Sequence, residues 1–307
     1  MRRLLIFVSA VFLVAGCSKK AKKEAPSFGG DIAYEYLTAQ VELGTREPGS
    51  EGHEKAVDFF RGFFQKYCKN VKLQRFSFLG YNGQFFPSTN FIISFRPEDN
   101  DRILLCAHWD TRPRSENDPD SANVDTPTPG ANDGASGVAI LMRLAEIMHK
   151  KPPPIGVDIV LFDAEDYGYE GDYDNYLLGS RYFARNLGGY RARFGILLDM
   201  VGDKDLSIKK ERYSLKYASD VVDLIWKTAE ELGIEEFENK KMDEYIIDDH
   251  LPLNEAGIKT VDIIDFDYPW WHTSQDTPDK CSPESLEKVG QVILKIIYEK
   301  YDEIKRR

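Results

Sequence analysis

The chain is poor in cysteine: four in 307 residues, at positions 17, 68, 106 and 281. None forms a C-x-x-C spacing, which argues against a thiolate metal site. No apolar run is long enough to span a bilayer; the longest, Leu4 to Val14, falls well short of the required length. Positive charge is also scarce. Lys and Arg total 40 against 51 Asp and Glu, a net charge of −11, which excludes the basic footprint of a nucleic-acid binder. Internal repeats and heptads are absent, as are the G-x-S-x-G elbow, H-E-x-x-H, the P-loop and G-x-G-x-x-G.

What remains is an ordinary core-forming composition, 42% apolar and 30% charged. The first residues, "MRRLLIFVSAVFLVAGC", are a targeting segment rather than fold: Arg2 and Arg3 precede a short apolar stretch, and small residues lead into Cys17. "LVAGC" resembles a bacterial lipoprotein signal, which implies cleavage before Cys17 and a lipid on it. Residues 18–28 then read as a solvated tether whose four lysines suit an anionic membrane surface. The expectation is an exported protein, lipid-anchored to the bacterial cell envelope, with one folded domain over 29–307. Of the other cysteines, Cys68, Cys106 and Cys281, an odd number, at least one stays unpaired, and Cys106 reads as a small core residue.

Periodicity predicts helices over 31–44, 54–68, 134–149, 180–187 (capped by Ser180), 218–233 and 282–304. Strands are expected at 71–78, 90–95, 102–108, 157–163, 193–200 and 258–264. Strands alternating with helices imply one α/β domain, a doubly wound, mostly parallel (mixed) sheet with helices on both faces. In such sheets ligands bind beyond the carboxyl ends of the strands.

The exits carry a consistent chemistry. "LLCAHWD" ends in His108 and Asp110, "IVLFDAED" in Glu165 and Asp166, and "ILLDMVG" leads out of Asp199. "PGANDGASG" sets Asp133 before a helix, and "YPWWHTSQD" sets His272 after the last strand. These are carboxylates and imidazoles, the ligands that hold zinc where thiols are lacking. Two histidines have bland readings: His53 lies in a polar stretch, His149 near a helix C-terminus.

In order and spacing, His108-x-Asp110, Asp133 in "NDGASG", the Glu165–Asp166 pair, Asp199 and His272 resemble the zinc aminopeptidase family M28 over roughly residues 30–300. "IDDHLPL" (247–253), "WHT" (271–273) and "LGSRYFA" (178–184) look like its glutaminyl-peptide cyclotransferase branch, most like the bacterial type. The resemblance implies an aminopeptidase-like fold with one zinc on Asp133, Asp166 and His272, and room for a second at His108 and Asp199. It further implies Glu165 as proton carrier, Asp199 and Asp248 as its carboxylate network, and Trp271 as an apolar wall. The implied substrates are peptides or proteins with N-terminal Gln, cyclised to pyroglutamate with loss of ammonia; an exported M28 aminopeptidase is the alternative. The chain departs from the animal enzymes at Asp166, where they carry Glu, and at Asp262, where they carry His. A Tyr-rich "YGYEGDYDNY" (167–176) replaces their Trp after the carboxylate pair, and reads as a solvated lid rather than a calcium site.

Overall fold

A computed structural model describes residues 24–300 and 303. The signal segment, Cys17 and most of the expected tether lie outside them. The packed body begins earlier than expected: Phe28 is fully buried, and the amide of Ala25 donates to Glu299 Oε1 at 3.0 Å.

Helices α1 (Gly30–Val41) and α2 (Glu51–Tyr67) open the domain, α2 capped by Ser50, whose hydroxyl accepts from the His53 amide. Strands β1 (Val71–Leu79), β2 (Phe85–Phe95) and β3 (Arg102–His108) follow, then α3 (Ala135–Lys150), β4 (Gly156–Phe162), α4 (Leu178–Arg185) and β5 (Gly195–Asp199). The chain continues through β6 (Ile208–Lys210), α5 (Arg212–Leu232), β7 (Phe237–Lys241), α6 (His250–Glu255), β8 (Thr260–Ile264) and α7 (Pro283–Glu299).

Six strands form one mixed sheet in the order β1-β2-β4-β3-β5-β8. β1, β2 and β4 pair antiparallel, while β4, β3, β5 and β8 run parallel. Alternate side chains of β3 serve opposite faces, as strand geometry requires. Leu105 and Ala107 enter a large core with α1, α2, α3, α5 and α7; Leu104 and Cys106 meet Phe183 of α4 and Leu253 of α6. Each such fully buried Leu, Ile or Phe contributes about 1.5–3 kcal/mol. β3 and β5 are neighbours, yet the chain leaves β3 for β4 and β5 for β8, in opposite directions across the sheet. That reversal opens a crevice between their carboxyl ends.

Four local expectations differ. Ser180 is no cap: α4 starts at Leu178, and the Ser180 hydroxyl, inside the first turn, donates back to Leu177 O just before the helix. α5 starts at Arg212 rather than 218, because Glu211 caps it by accepting from Tyr213 N and Ser214 N; the expected start, Ala218, is a kink. The short pair β6–β7 and helix α6 lack a clear period and escape pattern reading. His53 is buried, stacked on Trp109 at 4.6 Å with Nε2 3.0 Å from Asp163 Oδ1, rather than solvated. Cys68, Cys106 and Cys281 are all buried free thiols.

Candidate active site

The crevice is built by strand exits that turn sharply. Three non-glycine residues with left-handed backbone stand there: Ala164 (φ 56°) before Glu165, Met200 (φ 46°) after Asp199, and His272 itself (φ 55°). Such conformations cost on the order of 1–3 kcal/mol each and gather where a site needs side chains re-aimed. Glu165 and Asp166 therefore lie in a turn beyond the strand, not in its alternation. The buried Asp110 carboxylate accepts from both their amides, Glu165 N at 3.0 Å and Asp166 N at 3.2 Å.

Asp133 arrives from the loop before α3. Buried Arg46 fastens this loop to the β3 exit by donating to Trp109 O (3.1 Å), Pro129 O (3.2 Å) and Gly130 O (2.7 Å). Asp276 accepts from Asn132 N and Asp133 N and takes the Tyr268 hydroxyl. A side chain at residue 134 would strike the His108 ring, its Cβ only 2.4 Å from Nε2, so the position demands glycine.

Two buried triads result. Asp133, Asp166 and His272 bring one ligand atom each within 4.8 Å of one another, as do His108, Asp133 and Asp199. Asp133 is common to both: His108 Nε2 lies 3.0 Å from its Oδ1, and His272 Nε2 lies 3.7 Å from its Oδ2. His108 Nε2 is also 3.2 Å from Asp199 Oδ1. Two carboxylates and one imidazole suit a zinc site with an open fourth position. Asp166 fits that use: Arg112 Nη1 donates to its Oδ1 at 2.6 Å, while its buried Oδ2 has no hydrogen-bond partner among the described residues and faces His272 Nε2 at 3.3 Å.

The electrostatics divide the adjacent acids. Against burial, the charges of His272 and Arg112 hold Asp166 well below the carboxylate range. Burial, reinforced by the Asp166 charge, pushes Glu165 well up. Asp199 is raised to about 6, and Asp248 to about 7 by burial and by Asp199. Neighbouring groups with such divergent values are an acid–base arrangement.

Glu165, Asp199, Asp248 and both metal-facing carboxylates line one cavity of about 560 Å³. Ile246, Ile264, Phe266 and Trp271 give it an apolar wall, with Trp271 stacked on His272 at 3.9 Å between centroids. Behind Asp248 lies a third buried group, in which His250 Nδ1 is 3.7 Å from Asp262 Oδ2 and His250 Nε2 is 3.2 Å from Glu211 Oε2.

The Peptidase family M28 profile matches residues 90–297, which contain every one of these site residues except Arg46.

The chain belongs to family M28.

Among solved M28-like structures, it is 40% identical to the Bacteroides thetaiotaomicron glutaminyl cyclase bound to N-acetylhistamine, covering 90% of this chain and 99% of that one at a TM-score of 0.86. A leucine aminopeptidase precursor from the same organism is 41% identical, covering 90% and 98%, again at 0.86. Aminopeptidase YwaD of Bacillus subtilis is 27% identical over 215 residues, which are 65% of this chain and only 41% of that protein. The chain thus spans about two fifths of the length of that curated relative. Membership of the M28 zinc peptidases implies zinc as the metal.

The structure brings together all the residues singled out in the sequence: Asp133, Asp166 and His272 in one triad, His108 and Asp199 in the next, and Glu165, Asp248 and Trp271 at the cavity wall. Sequence reasoning missed Arg112, Arg46 and Glu211; His250, in "IDDHLPL", and Asp262 were noted there, but not that they meet Glu211 behind Asp248. For Arg112 there was a faint signal, a basic residue two positions after the exit acid Asp110. The acids of the Tyr-rich loop take part in no grouped metal-ligand cluster among the described residues; Asp172 instead accepts from the Tyr81 hydroxyl and Asn175.

Proposed function

We propose that this M28 enzyme is a glutaminyl-peptide cyclotransferase, closing N-terminal Gln of peptides or proteins to pyroglutamate with release of ammonia. The observation that carries the reading is the meeting of Asp248, from the loop before α6, with Glu165 and Asp199 in one cavity beside the metal triad. Proteolysis by water needs a single base there. Cyclisation needs one carboxyl to accept a proton from the α-amine and return it to the departing amide nitrogen, with neighbours that stabilise both states.

Asp133, Asp166 and His272 would hold the zinc, whose Lewis acidity polarises a carbonyl oxygen. Glu165 takes the proton as the α-nitrogen bonds to the carbonyl carbon of the side-chain amide; it gives that proton to the amide nitrogen as the carbon–nitrogen bond breaks and ammonia leaves. Such general acid–base work is worth about 10²–10⁴ in rate. Asp199 and Asp248 keep Glu165 poised between its two states through their own charge. Trp271, with the apolar wall, excludes water from the methylenes of the Gln side chain.

One observation favours the alternative, an M28 aminopeptidase. The His108–Asp133–Asp199 triad has the donors for a second ion sharing Asp133. Zinc-loaded Asp248→Asn separates the two: as a cyclotransferase it keeps its zinc and loses about 10²-fold or more in kcat on Gln-initiated peptides, while unchanged kcat contradicts the role given to Asp248. One zinc per chain is the expected metal content; two would fill the second triad.

The lipid on Cys17 and attachment to the cell envelope belong to the same proposal. They rest on the "LVAGC" stretch and the lysine-rich segment after it. No helix among the described residues is long and apolar enough to cross a membrane.

A further inference from the structure

The exposed large apolar side chains are not scattered. Tyr169 and Tyr173 stand on the loop 167–176, and Tyr245 and Ile247 on the loop 242–249, both at the cavity mouth. The rest among the described residues sit at the tip of the β1–β2 hairpin, where Tyr81 stacks on Tyr167 and tilts against Tyr169 at 4.6 Å. Isolated exposed apolar residues need no explanation, but a group gathered at one opening marks a binding surface.

The part of the rim that lines the cavity carries unpaired acids, while Lys209, Lys240 and Lys241 line the adjoining cavity that Glu244 also borders. Glu170 and Glu244 are exposed, line the cavity, and have no ion-pair partner among the described residues. Among the described residues only one Lys or Arg lines the cavity, Arg112, and its guanidinium is held by Asp166 and by both oxygens of Glu116. Two rim rings already receive cations: the Arg114 guanidinium lies 3.9 Å from the Tyr169 centroid and that of Arg212 4.4 Å from Tyr245. Exposed tyrosines with unpaired carboxylates favour a partner that offers positive charge on a long apolar stem, through both coulombic and cation–π attraction. An anionic lipid surface is disfavoured by the same acids.

We propose that this rim docks the stretch of substrate just after its N-terminal Gln, and that it selects chains with Lys or Arg at the second or third position over chains with Asp or Glu there. The inference rests on the cyclotransferase reading for the identity of the first residue. The cavity is far larger than one glutamine, at about 560 Å³ within the range that buries a drug-sized ligand, so the next residues must meet the rim. The preference belongs in KM, because the rim residues neither carry the proton nor hold the metal in the proposed reaction.

The test compares Gln-Lys-Ala-amide with Gln-Glu-Ala-amide on the zinc-loaded full chain at low and high salt. At low salt kcat/KM is expected to favour the Lys peptide by about tenfold, through KM, and the gap is expected to shrink with salt. The double variant Glu170→Gln, Glu244→Gln is expected to bring the ratio near one. Equal kcat/KM for the two peptides in the wild type, or a preference that survives both substitutions, overturns the proposal. If neither peptide is cyclised, the reaction reading fails, and calorimetric affinities of the same peptides decide the rim separately: Lys over Glu sustains it and equality overturns it. A Tyr173→Ser, Tyr245→Ser pair that dissociates a dimer, or releases the chain from anionic vesicles, assigns the rim to those partners and overturns it as well.

Discussion

Arg112 donates from Nη1 to Oδ1 of Asp166 at 2.6 Å, and so hands the opposite oxygen, Oδ2, to the site with no hydrogen bond among the described residues to satisfy it. The guanidinium is itself fixed by a two-pronged pair with Glu116, both contacts at 2.7 Å, and lies over Tyr176. A planar cation held in this way orients a ligand carboxylate and keeps it ionised, which a flexible ammonium does less well.

Replacing this cation should loosen the metal before it alters the fold. Arg112→Met is expected to weaken zinc binding by about 10–100-fold, read by competition with a chelator, with Arg112→Lys in between. Unchanged affinity in the Met variant would show that Asp166 needs no such partner.

Glu165→Gln keeps the size of the side chain and removes its ability to carry a proton. Turnover should fall by at least about 10²-fold, with bound zinc, measured by elemental analysis, unchanged. Retained activity would remove Glu165 from the chemistry.

Arg46 supports the site from behind by satisfying the carbonyls of Trp109, Pro129 and Gly130 inside the core. Burial lowers its own pKa to about 10, so its charge persists at neutral pH. Arg46→Leu strands those carbonyls and is expected to cost on the order of 3 kcal/mol in denaturant unfolding. A loss within about 0.5 kcal/mol, the size of an ordinary surface change, would deny it that role.

Acid stability should depend on Glu146, far from the metal site. Burial opposes its ionisation, but Lys150, Tyr36 and Arg143 donate to it at 2.7, 2.9 and 2.6 Å and hold it at about 2 against an ordinary 4.5. The folded value is the lower one, so the unfolded chain binds the proton more readily and this contribution rises with pH. It is fully present above about 4.5 and is lost as pH falls towards 2. The Tm difference between wild type and Glu146→Gln is expected to be full at pH 7 and to fade across that window. A difference constant with pH would contradict the account.

The parts of this molecule that could be read in advance are those written in local order. Runs such as Ile103–Ala107 and Ile159–Phe162 announce buried strands, and an acid or His directly after them is aimed at the sheet's carboxyl edge wherever the neighbouring strands fall. The missed parts depend on partners distant in the chain. Arg112 and Asp166 are 54 residues apart, and Arg46 meets carbonyls 63 to 84 residues away. His53 looked solvated because its sequence neighbours are polar, yet the buried face of α2 carries it to Asp163, 110 residues on. The β6–β7 pair and α6 are too short to show a period, although the loop between β7 and α6 carries Asp248, Tyr245 and Ile247.

The central claim is tested most directly by incubating the zinc-loaded protein with a Gln-initiated dipeptide and weighing the product by mass spectrometry. A product lighter by one ammonia, with its peptide bond intact, is what cyclisation predicts. Release of free glutamine and the second amino acid would contradict it and make the enzyme a peptidase.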